Sequence, residues 1–383
     1  MSTLVERSLL DLVGFIVDNR GRTCPTAETG MPLIATNCVK SGYREPVFEN
    51  VRFVDEETYS NWFRAHPEPN DVLFVCKGTP GRVAVVPDPV PFCIAQDMVA
   101  LRAKPETCNS RYLYYRIRAA DVQSRIENMH VGTMIPHFKK GDFGRLRFFV
   151  HEDVREQGAI AEVLNALDDK IAANDHLLRL TESLVAAEYA SFLSRGSQEV
   201  DLGELAIFRN RERIPLSSRQ REERKGAVPY YGAAGRLDFV DEAIFDEPLV
   251  LVGEDGSVID DQGHPIVQYI WGPSWVNNHA HVLKGNGVAT ETLRQSIIRS
   301  NVAHLVTGAV QPKISMGNLK TLVLQVPSNV GEFDAIAVRF AAVTRAVTEE
   351  SVALARTRDE LLQLLMSGKV RVNDAEALGS DAL

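Results

Sequence analysis

No run of eighteen apolar residues occurs anywhere in this 383-residue chain, which argues against a membrane-spanning helix. Cysteine is scarce after the first third: Cys24, Cys38, Cys76, Cys93 and Cys108 are all there are, without paired spacing. An odd, unpatterned set argues against disulfides and against a zinc site, and predicts buried, reduced thiols. The opening residues Met1 to Arg7 lack the basic and apolar regions of a signal peptide, so a cytoplasmic location is expected. Catalytic signatures are missing too. There is no glycine-rich nucleotide fingerprint after a strand, no Walker pair, no Asn-Pro-Pro-aromatic box and no nucleophile elbow. Asp260 and Asp261 have no lysine two residues on. No catalytic residue, cofactor or metal is therefore nominated.

What is present begins with a heptad seam. Leu164, Ile171, Leu178, Val185 and Phe192 step by seven within 153–195, uninterrupted by proline, with Gly196 just beyond. One helical face thus repeats every two turns against a partner, and a glycine stands where a helix C-cap is expected. Phe333, Phe340, Val347, Leu354 and Leu361 form a second seam. An offset of 176 carries Leu164, Ile171, Leu178 and Val185 onto Phe340, Val347, Leu354 and Leu361, and Asn174 onto Glu350. The same offset relates Gly132, Pro136, Gly141 and Leu146 to Gly308, Pro312, Gly317 and Leu322. Separate stretches sharing one register mark a tandem duplication.

Between the seams the pattern is α+β. The first half reads as a helix or strand over 9–17, a strand-like stretch over 31–37 and a helix over 55–65. An apolar strand follows over 72–76, then a glycine loop and a strand over 83–86. The spacing predicts one further strand over 92–101, an amphipathic helix over 111–126 and a last strand near 146–150. The second half repeats the scheme, with 249–257 matching 72–81 and 276–283 matching 94–101. A helix is predicted over 291–305, then a strand leading to Pro327.

The net charge of −9 looks unfavourable for a nucleic-acid partner. Residues 1–150 nevertheless carry 19 basic and 17 acidic side chains, and 196–330 carry 13 and 16. The acidity sits mostly on the seam helices and tail, so local cationic patches remain available for phosphate contact.

Several stretches together resemble the specificity subunits of type I restriction–modification enzymes. They are Val228-Pro229-Tyr230-Tyr231-Gly232-Ala233-Ala234-Gly235, Gly253-Glu254-Asp255-Gly256-Ser257, Gly308-Ala309-Val310-Gln311-Pro312-Lys313-Ile314-Ser315, and residues 160–171 of the first seam. The resemblance covers residues 1 to about 370. It implies two tandem-repeated α/β target recognition domains separated by two long helices forming an antiparallel coiled coil. The implied boundaries are 1–151 and 197–329 for the recognition domains, 152–196 and 330–368 for the spacer helices, and 369–383 for a tail. The implied activity is non-catalytic reading of a bipartite site in double-stranded DNA. The implied partners are two methyltransferase subunits and restriction subunits, with no membrane. Helices of about forty residues, roughly 60 Å long, would act as a spacer between half-sites.

Within such domains the DNA-facing candidates in the first are Arg20, Arg22, Asn37, Lys77, Thr79, Arg82, Gln96, Thr133, His137 and Lys139. In the second they are Arg209, Arg211, Arg219, Arg221, Ser257, Asn278, His279, Gln311 and Lys313. The 209–225 stretch holds seven cations and three carboxylates, which suits phosphate contact. Gln311 and Asn278 carry amides able to pair with an adenine edge, whereas Ile135, the counterpart of Gln311, offers no such pairing. Tyr230 and Tyr231 are expected in the core. His279 and His281 alternate along the predicted strand and would share one face. A metal-dependent hydrolase using that pair is the alternative, although no further ligand at suitable spacing supports it.

Overall fold

The computed structural model describes residues 3–19, 23–129, 135–308 and 310–372. It divides into two compact units, Met1–Ala173 with Ser351–Leu383, and Asn174–Glu350.

In the first unit, Leu4–Ser8 pairs antiparallel with Arg147–His151. Ser8 then caps a single helical turn, Leu9–Leu12, through a reciprocal capping box with Asp11. The ambiguous 9–17 stretch is thus a helix followed by the strand Val13–Asp18. A four-stranded sheet follows in the order Val13–Asp18, Met98–Ala103, Val72–Val75, Val83–Val85. Strand Val72–Val75 is wholly buried, because successive side chains enter different cores. Val72 and Phe74 join the cluster that contains Tyr112, Tyr115 and Leu164. Leu73 and Val75 join Ile34, Ile94 and Met98. Burial on both faces explains why this strand reads as an unbroken apolar run.

Three expectations for this unit need correction. The single strand over 92–101 is two strands in two sheets. Cys93–Ile94 pairs parallel with Met31–Ile34, and Met98–Ala103 crosses to the larger sheet. The helix over 111–126 is broken at Ala119, whose backbone is extended, into Ser110–Arg118 and Ala120–Met129. The helix over 55–65 is shorter, Glu56–Asn61, with Asp55 as its N-cap.

The second unit repeats this topology with one strand added. Ser197–Asp201 pairs with Val323–Pro327. The four-stranded sheet runs Ala206–Phe208, Ala280–Gly285, Leu249–Gly253, Val267–Ile270. The smaller sheet again has a parallel pair, Val228–Tyr231 with Pro273–Val276. Arg236–Val240 flanks it on one side, and Phe245–Asp246 adds one strand on the other. The strand expected over 276–283 is split as its counterpart is, and the helix over 291–305 is Thr290–Ile297 followed by a 3₁₀ turn at Ala303–Leu305. Tyr230 is fully buried and Tyr231 partly so.

The two seams are continuous helices, Val154–Arg195 and Val330–Met366. In the first unit Ile160, Leu164 and Leu167 pack with Leu354, Leu361 and Leu365, and Ile171 rests against them. Asp168 meets Arg358 there at 2.6 Å, both side chains buried. Within the second unit Val185, Tyr189 and Phe192 pack with Phe333 and Ala337, with Phe340 alongside, and Asn174 donates to Glu350 at 2.6 Å. Rising residue numbers on one helix meet falling numbers on the other, so the pairing is antiparallel. Asn174 and Glu350, which meet here, are equivalent positions of the 176-residue repeat. Leu178 and Val347 are only partly buried.

Candidate nucleic-acid interface

In both units the loop after the central strand is built the same way. Lys77 bridges His137 in the first, and Asp255 bridges Lys313 in the second. One residue on, Gly78 and Gly256 have positive φ (+87° and +79°), which a side chain would strain. Their N–H groups donate to the carbonyls of Pro136 (2.9 Å) and Pro312 (3.0 Å). One residue earlier, the Cys76 carbonyl accepts from Phe138 (2.8 Å) and the Glu254 carbonyl from Ile314 (2.9 Å). The same two residues donate to Asp97 (2.9 Å) and His279 (2.8 Å). The duplication therefore extends to individual hydrogen bonds.

This scaffold gathers part of each candidate set. In the first domain Lys77, Arg82, His137 and Lys139 are exposed around the loop, with Thr79 and Gln96 half-buried. Asn37 lies apart from it in sequence, in a 3₁₀ turn, and donates to the Glu49 carbonyl at 2.7 Å. Arg20, Arg22 and Thr133 lie outside the described residues. Ile135 is 56% exposed at the position equivalent to Gln311. In the second domain Ser257, Asn278, His279, Gln311 and Lys313 are all exposed on the converging segments 254–257, 277–279 and 307–313. The last segment is closed by reciprocal bonds of 2.8 Å between Thr307 and Lys313. Arg211 is exposed on the Asn210–Glu212 turn.

Other cations are already engaged within the fold. The Arg209 guanidinium is paired with Glu212 and Glu247 and sits over the Phe245 ring. Arg221 pairs with Asp238 at 2.9 Å, donates to the Leu216 carbonyl and covers the Tyr230 ring. Arg219, on the same short helix, is largely exposed with one i,i+4 partner, Glu223.

The two histidines do not share a face. His279 precedes strand Ala280–Gly285 in a turn and contacts Asp255 at 2.6 Å. His281 is fully buried, with one ring nitrogen on the amide of Asn210 (2.8 Å) and the other on the Ile314 carbonyl (2.9 Å). Burial pushes its pKa below the ordinary value. Among the described residues no group of three or more His, Cys, Asp or Glu could hold a metal ion. The hydrolase alternative thus loses the shared face on which it rested. The five cysteines are all buried free thiols, and burial raises those of Cys76, Cys93 and Cys108 to about 12.

Sequence reasoning passed over two central residues. Arg213 donates to Glu254 (2.7 Å) and to the Ala280 carbonyl (2.7 Å). Glu254 also faces Lys313 at 3.3 Å and His281 at 3.6 Å. The available signal was the repeat itself, which sets Glu254 opposite Cys76.

A family model described as the type I restriction modification DNA specificity domain matches residues 19–181 and again 195–351. The chain belongs to that family. The double match follows the duplication of sheets and loops described above. A Haemophilus influenzae protein named as a type I restriction enzyme specificity subunit is 29% identical over 127 residues, 33% of this chain and 32% of that one. A Mycoplasma genitalium protein named as a type I specificity subunit is 26% identical over 204 residues, 49% of this chain and 51% of its own length. This specificity-family chain therefore spans about a third and about half of those relatives. The crystal structure of a type I restriction–modification S subunit from M. genitalium matches it with a TM-score of 0.60 at 19% identity. That likeness covers 95% of this chain and 96% of the other, and it is one of fold. Among the described residues no helix is long and apolar enough to cross a membrane.

Proposed function

We propose that the chain is the non-catalytic DNA-reading subunit of a type I restriction–modification complex, each recognition domain reading one half of a bipartite site. The observation that carries this is the repeated loop scaffold. The same glycine turn and the same bridges carry different side chains in each domain: exposed Lys77, Ile135 and His137 in one, half-buried Asp255 with exposed Gln311 and Lys313 in the other. A common backbone with different polar tips suits two domains that read different bases. Gln311 and Asn278 are the base-reading candidates. Lys77, Arg82, Lys139, Arg211 and Arg219 are the phosphate-contact candidates, with Lys313 held beside them by Glu254. The recognition domains are taken as 1–151 and 197–329, and the spacer helices as 152–196 and 330–368, with the tail after them.

The partners proposed are double-stranded DNA, two methyltransferase subunits and restriction subunits, in the cytoplasm. Leu177, Leu180 and Leu184 support a protein partner on the helices. They are 42–53% exposed at i, i+3, i+7 spacing, an apolar stripe directed away from the seam. The test is methylome sequencing of a host with and without this chain. A methylated motif of two half-sites separated by unread base pairs should appear only when the chain is present. An unchanged methylome alongside a co-expressed methyltransferase subunit that the chain fails to capture would overturn the proposal.

A further inference from the structure

We infer that Glu254 is the positioning residue that sets the Gln311-bearing loop, and through it the specificity of the second domain. This rests on the reading of both domains as DNA readers. Glu254 stands where four segments converge. Its carboxylate, 15% exposed, accepts from Arg213 at 2.7 Å and faces Lys313 at 3.3 Å. Arg213 in turn donates to the carbonyls of Asn210, Asn278 and Ala280. The carboxylate therefore ties the Asn210–Glu212 turn and the 277–280 segment to the 307–313 loop. The His281 ring, 3.6 Å from the same carboxylate, reaches the loop stem from beneath through the Ile314 carbonyl. Burial works to raise the carboxyl's pKa, and Arg213, His281 and Lys313 outweigh it, holding the group ionised.

The first domain shows that the backbone of this loop does not require such a cluster. Cys76 occupies the position of Glu254, Val99 that of His281 and Phe138 that of Ile314, all buried and apolar. The backbone bonds around them are nevertheless the same. A carboxylate at position 254 is thus not needed to form the turn. It directs side chains: one anion neutralises two cations beside the exposed Gln311 and holds Lys313 against the loop stem. Without it, Arg213 keeps its three carbonyl acceptors, whereas Lys313, half exposed, becomes free to swing onto any nearby phosphate, which is sequence-independent binding.

The experiment uses the full chain assembled with its methyltransferase subunits, and synthetic duplexes carrying the methylome-defined motif with one half permuted at a time. Glu254→Gln should lower discrimination among second-half variants about tenfold and leave the first half unchanged. The slope of log affinity against log salt should steepen by about one, since one released cation that meets a phosphate adds about 0.9. Glu254→Asp keeps the charge but shortens its reach, and should give a smaller loss. A folded Glu254→Gln protein with unaltered discrimination and salt slope overturns the inference, as does equal loss at both halves. Should Glu254→Gln fail to fold, full discrimination by a folded Glu254→Asp protein overturns it. If the wild-type assembly discriminates at neither half, the DNA-reading function falls, and this assignment with it. Discrimination by wild type and variant alike removes only Glu254.

Discussion

Replacing Arg358 with methionine removes one partner of a buried ion pair and leaves Asp168 behind. The two side chains are each 6% exposed and 2.6 Å apart. The surviving carboxylate keeps the Tyr115 hydroxyl at 2.6 Å and the Arg118 guanidinium at 3.8 Å. Breaking a buried pair typically costs 3–5 kcal/mol, because a buried charge loses its compensation. With two contacts remaining to Asp168, the lower end, about 3 kcal/mol, is expected. For a unit of roughly two hundred residues this is a fall of about 6–12 °C in the melting midpoint. Pairing Arg358→Met with Asp168→Asn should recover much of the loss, since the amide oxygen still accepts from Tyr115 and no buried carboxylate is left without Arg358. The assay is thermal and urea unfolding of wild type, both single variants and the double variant, followed by circular dichroism. A melting midpoint for Arg358→Met within about 2 °C of wild type, a change below about 1 kcal/mol, would refute the reasoning. The pair would then be solvated in solution despite its burial.

Gln311→Ala should weaken or relax only the half-site read by the second domain, by about 1–3 kcal/mol for a bidentate contact; equal loss on every half-site variant would make Gln311 a phosphate or structural residue. Arg219→Ala and Arg221→Ala should part company: the first lowers affinity for all sequences and flattens the salt dependence by about one, whereas the second mainly lowers the melting midpoint, because its guanidinium serves Asp238, Leu216 and Tyr230. For pH, burial depresses the pKa of His281 and of His151 below the ordinary 6.5. As pH falls below 6.5 the unfolded chain takes up protons that the folded chain refuses, so stability is complete above that pH and declines beneath it until the folded rings titrate. Each ring costs at most about 1.4 kcal/mol per pH unit in that window. Melting midpoints from pH 8 to 5.5 should show the decline, and His281→Asn should reduce its slope.

The parts of this fold that were legible in the sequence are those where one physical demand repeats. A seam must return every seven residues, so Leu164, Leu354 and Leu361 could be named, and all three are buried. The shared offset of 176 brought out the duplication, which the strand orders reproduce. Illegible were changes of direction made without glycine or proline. The chain leaves one sheet for another between Ile94 and Met98, where Ala95 is buried and two polar residues, Gln96 and Asp97, are the whole of the break. Ala119 interrupts a helix although alanine is the best helix former. Cations were equally hard to sort. Arg209 and Arg221 read as free cations in the sequence, and Glu247 and Asp238, 38 and 17 residues away, are paired with them in the fold. Partners that distant leave no local pattern.

The comparison of the two loops explains why a reading surface of this kind is hard to find from sequence but open to change. What recurs between the domains is backbone: positive φ at Gly78 and Gly256, and carbonyl acceptors at Pro136 and Pro312. Those bonds need a glycine, and at the other positions they constrain the backbone rather than the side chain. Ile135 and Gln311, Lys77 and Asp255, and His137 and Lys313 therefore differ without cost to the fold, since none of these side chains is buried in its core. The residues beneath them are under the opposite constraint. Cys76 sits among apolar neighbours, and a carboxylate there would be stranded; Glu254 pairs with the largely buried Arg213, and a thiol there would take away that counter-charge. A change of specificity confined to the exposed tips leaves stability intact, whereas one that reaches the layer beneath must replace the whole cluster together.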